Sequence, residues 1–272
     1  MESARDAVDA GVMIPVFVGE RAMIETEAKA LGWDISGYEV IEAEGEDGSA
    51  MAAALAVREG RADALMKGHL HTDSFMKAAI NRSHGLRTDK RFVHIFHMTA
   101  PEGGKPLLIS DAAVNVAPSM TTRQDAIRMV SELSQRLGTE RPRIAILSAT
   151  ESAIESVPSS IQARDLAVWA AENVPEADVR GPLAMDLILS EEAAATKGMT
   201  DDPVAGEADA VIVPDIVAGN ALFKTLVYVG GACAGGVVMG GSAPILLTSR
   251  ADPPAARLAS ACLAQILCAK AR

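Results

Sequence analysis

Residues 203–252 read PVAGEADAVIVPDIVAGNALFKTLVYVGGACAGGVVMGGSAPILLTSRAD, and this stretch decides the fold class. Three apolar runs, Ala210 to Val213, Gly236 to Met239 and Pro244 to Leu247, have the length and β-branched content of strands. Polar residues follow the first and the last run, and they are Asp215, Asn220, Lys224, Ser249 and Arg250. In open α/β sheets, ligands bind outside the carboxyl ends of the strands. The stretch therefore predicts strands that carry a binding site at their carboxyl ends.

Short apolar runs alternate with helical patterns along the rest of the chain. The other predicted strands are Val12 to Val18, Glu39 to Ala43, Ala64 to Met66, Val93 to Phe96, Leu107 to Ser110 and Ile144 to Leu147. The predicted helices are Arg21 to Leu31, Ser49 to Glu59, Asp73 to Asn81, Arg123 to Leu137, Ser160 to Glu172, Asp186 to Thr196 and Ala218 to Tyr228. Ser49 and Thr72 are predicted N-caps, and Gly32 and Gly138 are predicted to end helices. This alternation predicts an α/β fold with largely parallel strands.

Composition is typical of a soluble enzyme. The 272 residues are 49% hydrophobic but only 3% aromatic, which predicts a core of Ala, Val, Ile, Leu and Met. The formal net charge of -11 argues against a nucleic-acid partner. No apolar run reaches the roughly 18 residues that would span a bilayer, and the N-terminus lacks a secretory pattern. The three cysteines have no disulfide or zinc spacing. We expect a cytoplasmic protein with no membrane partner.

Five sequence motifs follow one another along most of the chain. They are KGHLHTDSFMKAAI (67–80), LLISDAAVNVAPSM (107–120), AILSATES (145–152), GPLAMDLILSEEAAATKG (181–198) and PDIVAGNALFK (214–224). Each string alone is weak, whereas the ordered set is specific. The chain resembles the phosphate acetyltransferase and phosphate butyryltransferase family, including the form fused to a MaoC-type dehydratase.

The resemblance implies a two-domain, three-layer α/β/α fold similar to isocitrate and isopropylmalate dehydrogenases, with the active site in the interdomain cleft. It implies one domain from residues 1–88 plus 243–272 and an inserted second domain from 89–242. It also implies a homodimer. Relatives usually carry a further strand and helix before the segment that matches residues 4–19, so the resemblance places the start of this chain inside that helix.

The family's reaction interconverts acyl-CoA and phosphate with acyl phosphate and CoA, by direct attack of the CoA thiol. CoA is then a substrate, and neither a cofactor nor a metal is expected. The resemblance assigns phosphate binding to Arg250 and oxyanion stabilisation to Ser249, roles that suit a guanidinium and a hydroxyl. The alternative for this pair is a helix N-cap followed by a solvated arginine. Relatives carry an aspartate base where this chain has Ala256, so Asp252 is the nearest carboxylate and the base stays unassigned.

The resemblance assigns substrate binding to three further clusters. They are Lys67, Gly68, His71 and Thr72; Asp111 and Asn115; and Asp215, Gly219, Asn220 and Lys224. The alternatives are a turn that Asp111 and Asn115 build with their own backbone, and a surface turn capped by Asn220 beside a solvated lysine. Acetyltransferases proper carry an arginine at position 76, where this chain has Met76, which favours a broader or longer acyl substrate. The acidic turn at 44–47 is expected only to be solvated.

Two other functions stay open. A metal- and NAD-dependent dehydrogenase of the same architecture would use histidines, and His69, His71, His94 and His97 occur as two close pairs. Neither a GxGxxG nor a GxxxxGK[ST] motif supports that interpretation. A catalytically weakened acyl-CoA or phosphate-binding protein is the third possibility, because of Ala256 and the short N-terminus.

Overall fold

The computed structural model describes residues 1–247 and 252–269. The strands in these ranges are β1 (Phe17–Gly19), β2 (Val40–Glu42), β3 (Leu65–Met66), β4 (Val93–Thr99), β5 (Leu107–Ser110), β6 (Arg143–Leu147), β7 (Asp178–Leu183), β8 (Ala210–Ile212), β9 (Cys233–Met239) and β10 (Ile245–Leu246). The helices are α1 (Glu2–Asp9), α2 (Arg21–Ala30), α3 (Gly45–Arg58), α4 (Thr72–Ala79), α5 (Met120–Arg136), α6 (Pro158–Asn173), α7 (Met185–Leu189), α8 (Glu191–Thr196), α9 (Ile216–Tyr228) and α10 (Pro254–Cys268).

The chain divides into two compact units. Unit 1 comprises Met1–Lys90 and Gly235–Arg272, and unit 2 comprises Arg91–Ala234. The sequence analysis placed the two boundaries at 88/89 and 242/243, so the second boundary of the units lies eight residues earlier (242 − 234). That these units are independent folding domains stays a prediction.

Unit 1 contains two small groups of strands. β1 pairs with β2 in parallel, and β10 pairs with β3 in parallel and with β9 in antiparallel orientation. Three of the few aromatic residues cluster beside β1, where the rings of Trp33 and Tyr38 meet Phe17 edge-on at 5.5 and 6.1 Å between centroids. Edge-to-face packing of this kind adds to the burial of apolar surface. Elsewhere in unit 1 small residues pack the helices, and Ala50, Ala54 and Ala56 of α3 are buried.

Unit 2 is built on a sheet with the strand order β4-β5-β8-β6-β7. β5, β8, β6 and β7 are parallel, whereas β4 is antiparallel to β5. The three central strands are apolar runs whose residues are almost all fully buried, as expected of a parallel sheet covered on both faces. The carboxyl ends of β5, β8 and β6 therefore lie at one edge of this sheet.

The α/β prediction is confirmed, and Gly32 and Gly138 follow helix ends with positive φ angles of 63° and 101°. β7 was missed, because its sequence DVRGPL contains a charge, a glycine and a proline rather than an apolar run. The proline is tolerated because β7 is the last strand in the order of unit 2.

Both predicted N-caps and one predicted helix are wrong. Ser49 lies inside α3 and donates to the Gly45 carbonyl at 2.7 Å, and Thr72 is the first residue of α4 rather than its cap. The helix predicted from Asp186 to Thr196 is interrupted at Ser190, whose extended backbone ends α7. The Ser190 hydroxyl then caps α8 by accepting from the backbone N–H of Ala193 at 3.2 Å.

Candidate functional site

The register of unit 2 brings two of the predicted clusters together. Ser110, the last residue of β5, pairs with Ile212, the last residue of β8. The backbone N–H of Val213 continues the pairing by donating to the Ser110 carbonyl at 2.8 Å. The loop that begins at Asp111 and the loop that leads into α9 at Asp215 therefore start side by side.

The carboxylate of Asp111 is buried and holds its own loop in place. Only 5% of this residue is exposed. One oxygen, Oδ1, accepts from the backbone N–H groups of Ala113 and Val114, both at 2.9 Å. The other, Oδ2, accepts from the His94 backbone N–H at 3.0 Å and from Asn115 Nδ2 at 2.7 Å. These contacts match the turn-building alternative, and substrate binding by Asp111 stays a prediction.

Asn115 completes this network and His94 lies under it. Asn115 Nδ2 also donates to the Phe92 carbonyl at 2.8 Å, so the amide group ties β4 to the loop. The His94 side chain is 3% exposed, and its Nδ1 has no hydrogen-bond partner. Burial lowers the pKa of His94 to about 4, although the nearby Asp111 carboxylate acts in the opposite direction. His94 is therefore a neutral, buried imidazole at neutral pH.

The start of α9 packs directly on the Asp111 loop. A Cβ atom at Gly219 would lie 2.9 Å from Ala112 Cα and 2.9 Å from the Asp111 carbonyl oxygen, so only glycine fits. Asn220 Nδ2 reaches the Ala112 carbonyl at 3.4 Å. Glycine was expected here for close backbone approach, and the backbone that approaches is that of the neighbouring loop.

The cap of α9 is Asp215. The surface-turn alternative, which had Asn220 as the cap, is therefore wrong on this point. Asp215 Oδ1 accepts from the backbone N–H of Ala218 at 2.9 Å. Lys224 lies four residues after Asn220, on the next turn of the helix, and is exposed. Asn220 therefore links the helix start to the Asp111 loop, whereas the exposed Lys224 side chain makes no such contact among the described residues.

In unit 1 the register places Lys67 beside the end of β10. Leu65 and Met66 pair with Ile245 and Leu246, and the Lys67 backbone N–H donates to the Leu246 carbonyl at 3.0 Å. Gly68 is exposed, and apart from its two chain neighbours no atom of the described residues lies within 4 Å of a Cβ built on it. The chain continues from β10 to Ser249 and Arg250, which lie outside the described residues, as do Thr248 and Ala251.

The structure resumes at Asp252, directly before α10. The Asp252 carbonyl accepts from Nη1 of Arg257 at 2.7 Å, which links the entry of the helix to its first turns. Ala256 is 4% exposed, and its carbonyl accepts from the Ser260 hydroxyl at 2.9 Å. A buried methyl group therefore occupies the position at which relatives were expected to carry the aspartate base.

The acidic turn at 44–47 is not merely solvated, so that expectation is wrong. Glu46 Oε2 accepts from the His71 backbone N–H at 3.0 Å and lies 2.8 Å from His71 Nδ1. These hydrogen bonds, the backbone one first, lower the pKa of the Glu46 carboxyl. Asp47 Oδ2 lies 3.6 Å from Lys77 Nζ. The first turn of α3 thus holds the start of α4, while the His71 side chain stays 83% exposed.

The contacts that Glu46, His94 and Arg123 make were not predicted from the sequence. Arg123 is 4% exposed in the first turns of α5, and its Nη2 donates to Gln162 Oε1 of α6 at 2.5 Å. Three-dimensional packing alone reveals such a residue, since an arginine near a helix start is normally solvated. For Glu46, the complementary charges of the 44–47 turn and the 67–77 segment were the available signal.

No group of three or more His, Cys, Asp or Glu side chains in the described ranges has the geometry of a metal site. No helix of residues 1–247 and 252–269 is both long enough and apolar enough to cross a membrane.

Comparison with known proteins adds an independent observation. A family model described as phosphate acetyl/butaryl transferase matches residues 46–264. The chain is 38% identical over 270 residues to a phosphate acetyltransferase of Rhizobium meliloti, covering 99% of this chain and 85% of the relative. It is 33% identical over 268 residues to a phosphate butyryltransferase of Clostridium acetobutylicum, covering 98% and 89%.

A solved structure gives the same result. The crystal structure of a branched-chain phosphotransacylase from Enterococcus faecalis V583 is similar with a TM-score of 0.80 and 30% identity. The comparison covers 93% of this chain and 99% of that protein. The mixed α/β fold of this chain therefore matches that of a phosphotransacylase along nearly its whole length.

Proposed function

The chain belongs to the phosphate acetyl/butyryl transferase family, and on that premise we propose that it interconverts acyl-CoA and phosphate with acyl phosphate and CoA. The observation that carries the proposal is the family match over residues 46–264, which includes each of the candidate site residues. The loops at the carboxyl ends of β3, β5 and β8 support it, because they carry those residues at the positions where α/β sheets bind ligands.

In the proposed reaction the CoA thiolate attacks the carbonyl carbon of the acyl phosphate. A C–S bond forms, the bond between the carbonyl carbon and the bridging oxygen breaks, and that oxygen leaves with the phosphorus as inorganic phosphate. Arg250 holds the phosphoryl group through its planar pair of donors, and Ser249 donates to the carbonyl oxygen as it gains charge. Both roles rest on the family resemblance, since these two residues lie outside the described ranges.

The thiol has no assigned base in this chain. Ala256 is buried and cannot accept a proton, which leaves Asp252 as the nearest carboxylate in sequence. A thiol with a pKa of about 8.5 is already a few per cent ionised at neutral pH, so transfer proceeds without a strong base. We propose that Asp252 assists by raising the thiolate fraction.

The remaining candidates are proposed to have two kinds of role. Lys67, Gly68, His71 and Thr72 are proposed to line the substrate from unit 1, and Asn220 and Lys224 from unit 2. Asp111, Asn115, Asp215 and Gly219 are proposed to act by fixing the loops on which the binding residues stand. The isocitrate dehydrogenase-like architecture, the two-domain division and an active site in the cleft between the domains belong to this same proposal.

The acyl group is proposed to be longer than acetyl. Position 76 carries a half-buried methionine in α4 rather than the arginine expected of acetyltransferases proper. Methionine is apolar and adapts its shape, which suits an aliphatic chain. Relatives of both kinds match this chain, so the family alone does not select the chain length.

A cytoplasmic location and a homodimer complete the proposal. The net charge of -11 suits an enzyme of soluble metabolites. The homodimer is supported by exposed apolar side chains at α9, since Val217, Tyr228 and Val229 are 74%, 77% and 82% exposed. Sedimentation of the purified chain measures this directly, and a monomer at micromolar concentration would contradict it.

The experiment that tests the function is release of free CoA thiol from a panel of acyl-CoAs of increasing length, with phosphate as acceptor. We expect phosphate-dependent release that is greatest for butyryl or longer groups and unchanged by EDTA. Loss of activity on EDTA treatment with recovery on adding a divalent ion, together with NAD reduction, would favour the dehydrogenase instead. Binding of acyl-CoA without turnover would favour the weakened binding protein.

A further inference from the structure

Arg123 lies at the carboxyl-end edge of the unit 2 sheet, in the first turns of α5. The residue is 4% exposed, although arginine is among the residues least often buried. Its Nη2 donates to Gln162 Oε1 at 2.5 Å, and its Nε is buried with no hydrogen-bond partner among residues 1–247 and 252–269. A buried guanidinium with an unused donor needs a counterpart, because an unpaired buried charge is costly.

The protein supplies only part of that counterpart. Among the described residues, no carboxylate oxygen lies within 4.0 Å of the Arg123 nitrogens. Asp215 is the carboxylate that acts on it from farther away, and Asp215 already caps α9. Burial lowers the pKa of Arg123, and Asp215 offsets this only partly. Nearby carboxylates therefore compensate the positive charge of the Arg123 guanidinium only in part.

The helices around Arg123 add positive potential. Arg123 itself is the fourth residue of α5, Gln162 is the fifth residue of α6, and Asp215 marks the start of α9. A helix N-terminus carries about half a positive charge. Ser119 caps α5 and Asp215 caps α9, whereas α6, which has 16 residues, has no side-chain cap. In the first turn of α6, Pro158 has no N–H and the Ser160 N–H donates to the Val157 carbonyl at 2.9 Å, so the backbone donor that this turn contributes is the Ser159 N–H.

The same place is polar and close to solvent. Gln162 is exposed, so the Arg123 guanidinium lies one hydrogen bond beneath the surface. Ser159, three residues before Gln162 and on the same face of α6, has its hydroxyl 3.0 Å from that of Ser148. Ser148 directly follows β6 and is buried. Hydroxyl groups, a guanidinium and a helix N-terminus are the donors that proteins use for phosphoryl groups.

We propose that Arg123, Ser148, Ser159 and the first turn of α6 form a binding subsite for a phosphoryl group. The phosphoryl oxygens accept from Arg123 Nε and replace Gln162 on Nη2. No bond is made or broken, because the subsite only binds. This inference rests on the proposed function, which supplies two ligands with this group: inorganic or acyl phosphate, and the phosphate ester of CoA.

Calorimetric titration of the intact chain with inorganic phosphate, CoA and dephospho-CoA tests the subsite. We expect Arg123→Gln to weaken binding by about tenfold or more, as loss of a charge-assisted contact requires. Weaker binding of CoA with unchanged binding of dephospho-CoA assigns the subsite to the 3′-phosphate of CoA. Weaker binding of inorganic phosphate assigns it to that substrate.

Controls separate binding from folding. Arg128→Gln removes the same charge from the same helix, at a side chain that stacks on Trp169 4.6 Å from the ring centroid, and should leave all three affinities unchanged. Gln162→Ala removes the proposed competitor for Nη2 and should leave binding equal or tighter. Arg123→Lys keeps the charge and serves where Arg123→Gln does not fold.

The contrary result is also defined. If the Arg123 variants are folded and bind all three ligands as the wild type does, or if neither variant folds, Arg123 is a structural residue and the inference fails. Turnover by the wild type is measured separately. Arg123-dependent phosphate binding by a wild type without acyl transfer would refute the proposed function and leave this subsite standing.

Discussion

The loop after β3 in unit 1 and the loop after β5 in unit 2 both follow the carboxyl end of a strand but differ in exposure. His71 in the first loop leaves 83% of its side chain in solvent and is held through its backbone by Glu46. Asp111 in the second is 5% exposed and accepts four hydrogen bonds from its surroundings. The buried Asp111 thus holds its own loop, whereas the exposed His71 side chain is accessible from solvent.

The contrast also assigns different consequences to substitution. In unit 2, removal of a motif residue leaves buried donors unpaired, which lowers the free energy of unfolding. In unit 1, removal of a motif residue exposes little and should act on substrate binding. The predictions below test this division, starting with the largest expected effect.

Asp111→Ala should lower the free energy of unfolding by about 3 kcal/mol or more, because it strands several donors that have no other partner. Urea denaturation measures this loss. The kcat of the protein that remains folded should stay close to that of the wild type. A variant with native stability and abolished turnover would place Asp111 on the substrate and break the comparison.

Ser249→Ala tests the chemistry assigned to unit 1. If the hydroxyl donates to the developing oxyanion, kcat should fall by about 10²-fold with little change in KM, since that bond forms mainly in the transition state. α10 has Pro253 at its N-cap position, so an N-cap role for Ser249 is not supported. If the Ser249 hydroxyl has no part in catalysis, kcat should stay nearly normal. Steady-state kinetics combined with a melting curve decides between the two.

A matched pair of glycines sharpens the contrast. Gly219→Ala places a Cβ 2.9 Å from Ala112 Cα and should lower the free energy of unfolding by about 1 to 3 kcal/mol. In Gly68→Ala the added Cβ has no atom of a non-neighbouring described residue within 4 Å, so stability should stay nearly unchanged. If Gly68 allows close approach of the substrate, its alanine variant should instead raise KM. Equal stability losses at both positions would contradict the division.

His94 should make unit 2 sensitive to acid. Its pKa in the folded chain is about 4, below the ordinary value of 6.5, so the unfolded chain binds the proton more readily. The stability of the neutral form is fully present above pH 6.5 and is lost as the pH falls towards 4. His94→Phe should flatten the melting temperature over this range. An unchanged pH profile in the variant would show that His94 is not responsible.

Glu46→Gln should have the smallest effect, because the contact with His71 is exposed. The pKa of Glu46 is lowered from 4.5 in the folded chain, so its contribution is present above pH 4.5 and is lost as the pH falls below that value. A small difference in melting temperature at pH 7 should therefore vanish on acidification. Glu44→Gln, in the same turn, is the control and should show no such pH dependence. A difference that grows with acid would refute the assignment.

The sequence was sufficient for the fold class and for the central strands. The strand predicted from Leu107 to Ser110 is confirmed residue for residue, since a fully buried parallel strand is a continuous apolar run. β7 escaped because an edge strand with Gly181 and Pro182 lacks that run. The break at Ser190 escaped because cap and helix interior are not distinguished by composition alone.

For the site, sequence placed residues at strand ends but could not say which side chains are buried. Asp215 and Asn220 belong to the same motif, yet Asp215 caps α9, whereas Asn220 donates to the Ala112 carbonyl of the neighbouring loop. Arg123 and Glu46 gain their roles only from residues 39 and 25 positions away. Such long-range pairs follow from packing and leave no local pattern.

The most direct test of the acyl transfer is the identity of its product. Butyryl-CoA and phosphate are incubated with the wild-type chain, and free thiol and acyl phosphate are measured together. We expect one acyl phosphate for each thiol released, and we expect the reverse reaction when acyl phosphate and CoA are supplied. Thiol release without acyl phosphate would indicate hydrolysis, and would contradict the assignment of this chain as a phosphate acyltransferase.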